Sequence, residues 1–252
     1  MFETCKHLYR SKEYETGWPL SYHIESAPLF SGRFKPFIQE QLEKLKELDQ
    51  ERRKLAKQDG LNITYIFHEH VQRVASDIER TCQHIGLQDY AARNMYWAAL
   101  AHDIGKAHID LQHWRETKEK PSEELKALRR THTTCGAQII QENFDDLDHL
   151  FIDLMLDLAL HHHEQMNAQG TLKIPARELS LPAQLIAIVE AFDGWSIPRA
   201  HYGDRDISPQ GVLERMRNEK GEDFFNMTLF ESFAEMKMKE HEQEPEPEPY
   251  DI

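Results

Sequence analysis

The sequence predicts an all-α fold, in which a helical N-terminal extension precedes one large domain. Apolar residues recur at helical spacing along most of the chain, no stretch alternates like a β-strand, and glycine or proline separates the apolar segments. We predict an extension with a charged helix at 1–60, a main domain at 61–236 and a disordered acidic tail at 237–252. The predicted helices are 34–59, 64–85, 89–103, 122–143 with a break near Thr131, 147–163, 182–194, 208–219 and 227–238.

The first helix, 34–59, follows an irregular segment that glycine and proline interrupt repeatedly. Apolar residues from Phe34 to Leu48 recur at roughly helical spacing, and Gly60 ends the helix. The apolar register is lost after Leu48, which leaves two arrangements open. The helix could pair with a second copy of the chain or with another protein, or it could lie on the main domain.

The helices of the main domain are bounded by residues that typically end or begin a helix. Gly86 follows the first of them, Gly105 lies just after the second, and Pro121 and Pro209 stand at the starts of later ones. The C-terminal segment EHEQEPEPEPYDI repeats Glu and Pro and is too poor in apolar residues to pack. We therefore predict that this tail is disordered.

Composition excludes several classes of function. The 252 residues include 30 Lys and Arg against 44 Asp and Glu, a net charge of −14, which argues against a broad nucleic-acid or anionic-lipid surface. No apolar run is long enough for a transmembrane helix, and the N-terminus does not resemble a signal peptide. Cys5, Cys82 and Cys135 form no CxxC pair, so we expect reduced thiols and a cytoplasmic location.

Histidines and carboxylates recur in a pattern that suggests a metal centre. His102 and Asp103 follow a long apolar helix, where a buried carboxylate is costly unless a cation neutralises it. Further candidates precede and follow this pair at intervals of 29 to 32 residues, which is about one helix and its return connection. These side chains can therefore meet at one end of a helical bundle. The full set is His70, His102, Asp103, His132, His162, His163 and Asp193.

The order of these motifs resembles the HD-domain metal-dependent phosphohydrolases, and within them the HD-GYP phosphodiesterases most closely. The resemblance runs from about His70 to Phe233 and includes HVQRVA, AHDIGKAHI, HHE and PAQLIAIVEAFD. It implies an HD-domain helical bundle in which those seven residues bind metal and Asp103 bridges two ions. It also implies that Asp103 and Lys106 are catalytic, and that Lys106 and Arg199 lie near the substrate phosphate. Glu164 is expected either to orient the histidines or to lie on the surface.

The chain also departs from the family pattern. Where the family reads HHExxDGxGYP, this chain reads HHEQMNAQGTLKIP, so Asn167, Ala168, Thr171 and Leu172 replace the motif residues. Glu190 stands where an aspartate is usual. Ile66 occupies the position at which some members carry a glutamate for a third metal, so we expect two ions. Imidazole and carboxylate ligands without thiolate favour Mn or Fe, with Ni or Mg as alternatives.

These features predict a phosphodiesterase in which two metals activate a water molecule. The expected substrate is a cyclic dinucleotide similar to cyclic di-GMP, or a related nucleotide phosphoester. One alternative is another HD-type enzyme, either a nuclease of the CRISPR-associated class or a nucleotide phosphohydrolase. The other is a non-catalytic signalling module that binds a nucleotide or a partner. The altered loop after HHE should change the preference for cyclic di-GMP more than it changes the chemistry at phosphorus.

Overall fold

The computed structural model describes residues 17–117, 119–198 and 204–243, which fold as a bundle of α-helices. The helices are α1 (Lys35–Gln58), α2 (Phe67–His84), α3 (Asp89–Ala99), α4 (Glu123–Arg130), α5 (His132–Asn143), α6 (Leu150–His161), α7 (Leu181–Ser196), α8 (Pro209–Glu219), α9 (Gly221–Phe224) and α10 (Met227–Gln243). Turns of 3-10 helix cover Ile24–Ser26, Ile104–His108, Leu111–Trp114 and Ala176–Glu178, and a π-helical turn covers Phe30–Phe34. The described residues contain no strand, which confirms the all-α prediction.

Two helix ends differ clearly from their predicted positions. Helix α3 ends at Ala99 instead of residue 103, because the chain turns there into the 3-10 segment that follows. Helix α10 continues to Gln243, so residues 237–243, predicted as the start of the disordered tail, are helical. Lys237 helps to hold this end, since its Nζ lies 3.3 Å from Oδ1 of Asp77 on α2. The predicted break at Thr131 separates α4 from α5.

One large hydrophobic core runs through the bundle. Its largest fully buried side chains include Phe151 on α6, Met95 on α3, and Phe230 and Phe233 on α10. Phe34, which immediately precedes α1, is also fully buried and packs against Phe151 with ring centroids 5.1 Å apart. The segment before α1 is therefore part of this core. None of the described helices is both long and apolar enough to cross a lipid bilayer.

Helix α1 lies on the main domain, which is one of the two arrangements that the sequence left open. Ile38 is buried in the large core, and Leu45 is buried in a smaller cluster with Phe67, Val71 and Trp114. Burial of these side chains removes apolar surface from water and thereby holds α1 against α2. Pairing of α1 with another chain stays a prediction.

The buried face of α1 continues beyond its apolar residues. Asp49, Arg52 and Ala56 are buried at helical spacing from Leu45, and Oδ1 of Asp49 lies 2.7 Å from Nη1 of Arg52. The same carboxylate accepts the backbone N–H of Phe67 at 3.1 Å and that of His68 at 3.0 Å. Asp49 therefore supplies acceptors for amide groups that an isolated helix would leave unpaired at its N-terminus. This contact fixes the start of α2.

Candidate metal centre

Seven buried or half-buried side chains from five parts of the bundle face one another in two groups. One group contains four residues and the other three, and within each group the possible ligand atoms all lie within 4.8 Å of one another. The first group is His70 on α2, His102 and Asp103 after α3, and Glu190 on α7. The second is His132 at the start of α5, with His162 and His163 just after α6. The structure thus brings together six of the seven ligands predicted from the sequence.

In the first group, two imidazole nitrogens and two carboxylates converge. Nε2 of His70 lies 2.7 Å from Oε2 of Glu190, and Nε2 of His102 lies 3.3 Å from the same oxygen. Oδ2 of Asp103 lies 3.4 Å from Nε2 of His70 and 3.6 Å from Nε2 of His102. The four side chains could therefore surround one cation.

Asp103 also faces the second group. Its Oδ1 lies 3.0 Å from Nε2 of His132 and 3.5 Å from Nε2 of His162. The two imidazole nitrogens lie 2.8 Å from each other, and the ring of His163 packs against that of His162 with centroids 4.3 Å apart. One carboxylate thus presents one oxygen to each group, which is the arrangement that a bridging ligand requires.

Backbone acceptors set the orientation of three of the imidazole rings. Nδ1 of His102 donates to the carbonyl of Ala99 at 2.7 Å, and Nδ1 of His132 donates to that of Arg129 at 2.6 Å. Nδ1 of His162 likewise lies 3.1 Å from a backbone carbonyl one helical turn earlier. With the proton on Nδ1, each ring can direct a lone pair on Nε2 towards the centre. This is how proteins usually prepare a histidine to bind a metal.

Several of the converging atoms lie close to one another but make no hydrogen bond of normal geometry within the described structure. They are Nε2 of His70, Nε2 of His102, Oδ1 of Asp103 and Oε2 of Glu190, all of them buried. Buried polar atoms without partners are costly, and few occur in a folded protein. Divalent cations would satisfy these four atoms together, and nitrogen and oxygen donors suit such ions. The residues present therefore fit a metal centre.

The structure places Asp193 differently from its predicted role as a ligand. It belongs to neither group, and its Oδ2 accepts a hydrogen bond from Nδ1 of His70 at 2.6 Å. Its Oδ1 accepts Nε of Arg73 at 2.6 Å. Glu190, one helical turn earlier on α7, reaches the centre instead. The geometry thus favours Glu190 over Asp193 as the ligand and gives Asp193 the task of orienting His70.

Electrostatics keeps the two converging carboxyls ionised. Burial raises the pKa of Asp103, but the charges of Lys106, His102 and His132 outweigh this effect and hold the pKa well below its usual range. Burial also opposes ionisation of Glu190, and His70 overcomes it and lowers the pKa of that carboxyl. For His70 itself, burial favours the neutral ring, but Glu190 and the other carboxylates raise the pKa to about 10. The first group therefore carries a proton on His70, which a bound cation would replace.

The model of the HD domain family matches residues 67–195, just over half of the chain. The chain belongs to the HD domain family. Two curated relatives are similar over part of their length. The 3'3'-cGAMP-specific phosphodiesterase 1 of Vibrio cholerae is 24% identical over 60% of this chain and 33% of its own length. The cyclic di-GMP phosphodiesterase of Thermotoga maritima is 26% identical over 50% of this chain and 33% of its own length. The chain thus spans about a third of each relative.

Solved structures share the fold of this HD-domain protein. Bd1817, an HDG"Y"P protein from Bdellovibrio bacteriovorus, superposes with a TM-score of 0.53 at 18% identity, covering 67% of this chain and 51% of its own. The HD domain of the L. monocytogenes phosphodiesterase PgpH gives a TM-score of 0.51 at 14% identity, covering 80% of this chain and 97% of its own. At such identities the likeness concerns the fold alone.

Lys106 of the HD-domain motif is buried against Asp103. Its ammonium group forms an ion pair with Oδ2 of that carboxylate and lies 4.7 Å from the ring centroid of Phe67. In this position Lys106 offsets the charge of the carboxylate that faces both groups. Its predicted contact with a substrate phosphate stays a prediction. Arg199, the other predicted phosphate contact, lies outside the described residues.

Glu164 organises the loop after the histidines instead of orienting them. Its carboxylate accepts the backbone N–H of Leu172 at 2.6 Å and that of Ile174 at 2.8 Å. A Cβ added to Gly170 would lie 2.5 Å from Cα of Glu164, so only glycine fits there without a shift. Ala168, where the HD-GYP motif has glycine, adopts a left-handed φ of 56°. The loop therefore keeps a conformation that suits the glycines of that motif, although its sequence differs.

Sequence reasoning missed a buried polar network beside the centre. His161 is buried, and its Nδ1 lies 2.8 Å from Oδ1 of Asp157. Ser180, which caps α7 by accepting the N–H of Ala183 at 3.0 Å, donates its hydroxyl proton to Asp157. The network ties the end of α6 to the start of α7. Asp157 inside the apolar stretch LMLDLAL was the only signal for it.

Proposed function

We propose that this HD-domain protein hydrolyses a phosphodiester bond in a cyclic dinucleotide, with a water molecule activated between two divalent ions. The observation that supports this most directly is the position of Asp103, whose two oxygens face the two groups of candidate ligands. A single carboxylate shared by two sets of histidines suits a pair of ions better than one ion. Five histidines and one glutamate would complete the two coordination spheres: His70, His102, His132, His162, His163 and Glu190.

The residues around the centre would divide the remaining work. Two divalent cations bound there would supply a water of lowered pKa and positive charge for the phosphoryl oxygens. Asp193 would hold the ring of His70 in place through Nδ1, and Arg73 would keep Asp193 ionised. Lys106 would offset the charge on Asp103 and present a cation near the reacting phosphate. Because all donors are imidazole or carboxylate, we propose Mn or Fe, with Ni or Mg as alternatives.

The choice of a cyclic dinucleotide rests on the relatives. Both curated relatives are named as phosphodiesterases of cyclic dinucleotides. The loop after HHE differs from the HD-GYP motif, so we propose weaker or altered preference for cyclic di-GMP. Binding of a second copy or a protein partner through 34–59, and the cytoplasmic location, stay predictions.

The test compares Asp103→Asn with Asp145→Asn, an exposed aspartate outside the centre. Both proteins are reconstituted with Mn or Fe, their metal content is measured, and they are assayed on bis(4-nitrophenyl) phosphate and on a panel of cyclic dinucleotides. We expect two equivalents of metal and hydrolysis in the wild type and in Asp145→Asn. Asp103→Asn should lose at least one equivalent and nearly all activity, while its far-UV circular dichroism stays helical. Turnover near the wild-type rate in Asp103→Asn would refute the proposal.

A further inference from the structure

A pocket of about 370 Å³ opens directly beside the candidate metal centre. His162, His163 and Glu190 form one part of its lining, so any molecule bound at the metals would extend into it. Its volume lies towards the small end of the range for ligand pockets, which is about 300–1,000 Å³. The pocket can therefore hold a compact part of a larger substrate.

Two basic side chains at this pocket take part in no salt bridge among the described residues. Arg130, at the end of α4, and Lys220, between α8 and α9, both line the pocket, and neither forms an ion pair with any described residue. In a chain with a net charge of −14, most exposed basic residues of the described segments lie close to a carboxylate, as Lys239 does to Glu235 at 2.6 Å. The charge of Arg130 helps to lower the pKa of the exposed Glu123, but neither cation is held in a salt bridge. Basic side chains without a salt bridge beside a metal centre indicate a site for an anion.

An aromatic wall faces the same space. Trp195 on α7 and the pair Phe224 and Phe225 line the pocket. Arg215 lies 5.3 Å from the ring centroid of Trp195 and helps to hold this ring, while Lys220 lies 4.1 Å from that of Phe224. Half-buried aromatic rings next to cations are a common way to bind a nucleobase and its phosphate together.

The altered loop after HHE supports this wall. The backbone N–H of Met166 donates to the carbonyl of Phe224 at 3.3 Å, and that of Asn167 donates to the carbonyl of Asp223 at 2.8 Å. Because Glu164 fixes the other side of the loop, the loop and the aromatic wall are held together. Changes in the loop can thus alter the shape of the pocket without moving the metal-binding side chains.

We propose that this pocket binds one nucleotide unit of the substrate, with the base against Trp195 and Phe224 and a phosphate on Lys220 and Arg130. This inference rests on the proposed function of the same site. A cyclic dinucleotide contains two bases, and the pocket offers one aromatic wall, so one base is enclosed and the other lies outside. The protein should therefore discriminate among dinucleotides mainly by the enclosed base.

The test measures equilibrium binding of GMP, AMP and ribose 5-phosphate to the metal-loaded full chain by calorimetry, together with steady-state hydrolysis of cyclic dinucleotides. Lys220→Ala should weaken the binding of all three ligands by about tenfold, because each loses a charge-assisted contact to its phosphate. Lys220→Arg should restore most of the affinity. Trp195→Leu should weaken the binding of GMP and AMP by about tenfold and that of ribose 5-phosphate far less. Trp195→Phe should retain most of the affinity for nucleotides. Both losses should appear in KM more than in kcat.

Lys239→Ala is the matched control, since Lys239 lies more than three turns along α10 from its start near the pocket. Its affinities should equal those of the wild type. Unchanged nucleotide affinity in Lys220→Ala and Trp195→Leu, with wild-type melting temperatures, would overturn the inference. An equal loss of affinity for GMP and for ribose 5-phosphate in Trp195→Leu would also overturn the inference that the Trp195 ring binds the base. A wild type that binds nucleotides in this manner but hydrolyses no phosphodiester would refute the proposed function and leave the pocket assignment standing.

Discussion

Replacing Gly105 by alanine tests how closely the HD motif must pack against α5. A Cβ at this position would collide with the carbonyl oxygen of His132 and would lie 2.6 Å from the amide nitrogen of Gly136 and 2.9 Å from the carbonyl carbon of His132. All three are backbone atoms, so no flexible side chain can move aside. Ordinary carbon contacts require about 3.5 Å, and the turn at Ile104–His108 would have to separate from α5 by roughly 1 Å.

The expected loss of stability follows from this displacement. Overpacking of a rigid interior typically costs about 1–3 kcal/mol, and a clash with the backbone of two residues of α5 should fall near the upper value. For a chain of this size each kcal/mol lowers Tm by roughly 2–4 °C, so Tm should fall by about 6–12 °C. His132 would move away from Asp103, and misplacement of roughly 1 Å at a reacting centre can cost about a hundredfold in rate.

The assay is thermal unfolding followed by circular dichroism, with metal content and phosphodiester hydrolysis measured on the same samples. Gly32→Ala is the matched control, because a Cβ there meets nothing within 4 Å. Alanine in that helical segment should leave Tm unchanged or raise it slightly, since it lowers the entropy of the unfolded chain. A Tm for Gly105→Ala within about 2 °C of the wild type, with full metal content, would refute the packing argument.

Three further predictions concern the centre and its loop. Glu190→Gln should lose one equivalent of metal even at saturation, as measured by elemental analysis. Asp193→Asn should keep the metal stoichiometry and bind metal roughly 10–100-fold more weakly in a titration. Loss of an equivalent in Asp193→Asn but not in Glu190→Gln would show that Asp193 is the ligand. Because the pKa of His70 is raised to about 10, its ring is protonated at pH 7, so metal binding should release a proton and tighten as pH rises. Calorimetry in buffers of different ionisation enthalpy measures that release, and its absence would contradict the assignment. Ala168→Gly should raise stability in urea by about 0.5 kcal/mol, since relief of the left-handed backbone outweighs the added chain entropy; a loss of stability would show that the alanine is unstrained.

Helical periodicity predicted the bundle well because most helices bury an apolar stripe. For α1 it predicted the helix but not the full length of its buried face. Its buried face passes from Leu45 to Asp49 and Arg52, which a pattern of apolar residues counts as surface. The register therefore ended at Leu48 in the sequence, although the helix stays packed to Ala56. Only the three-dimensional pairing of Asp49 with Arg52 and with the start of α2 reveals why two charged residues are buried.

The candidate site was predictable as a set but not in every member. The spacing of histidines and acids identified six of the side chains that meet in the structure, because each interval returns the chain to the same end of the bundle. The choice between Glu190 and Asp193 was different. Both acids lie in one apolar helix three residues apart, so both can face the same side. Side-chain length and the second nitrogen of His70 decide between them, and neither is visible in a sequence pattern.

The contact of Asp49 with the start of α2 shows that the family match and the packed domain begin at different residues. The family match begins at residue 67, whereas the acceptor for the first amide groups of that helix lies eighteen residues upstream. A fragment cut at residue 67 would expose those amides and the faces of Phe67 and Val71 that Leu45 covers, only one turn from His70. In this protein the segment matched by the family is therefore smaller than the packed unit that holds the start of α2 and positions the candidate ligand His70.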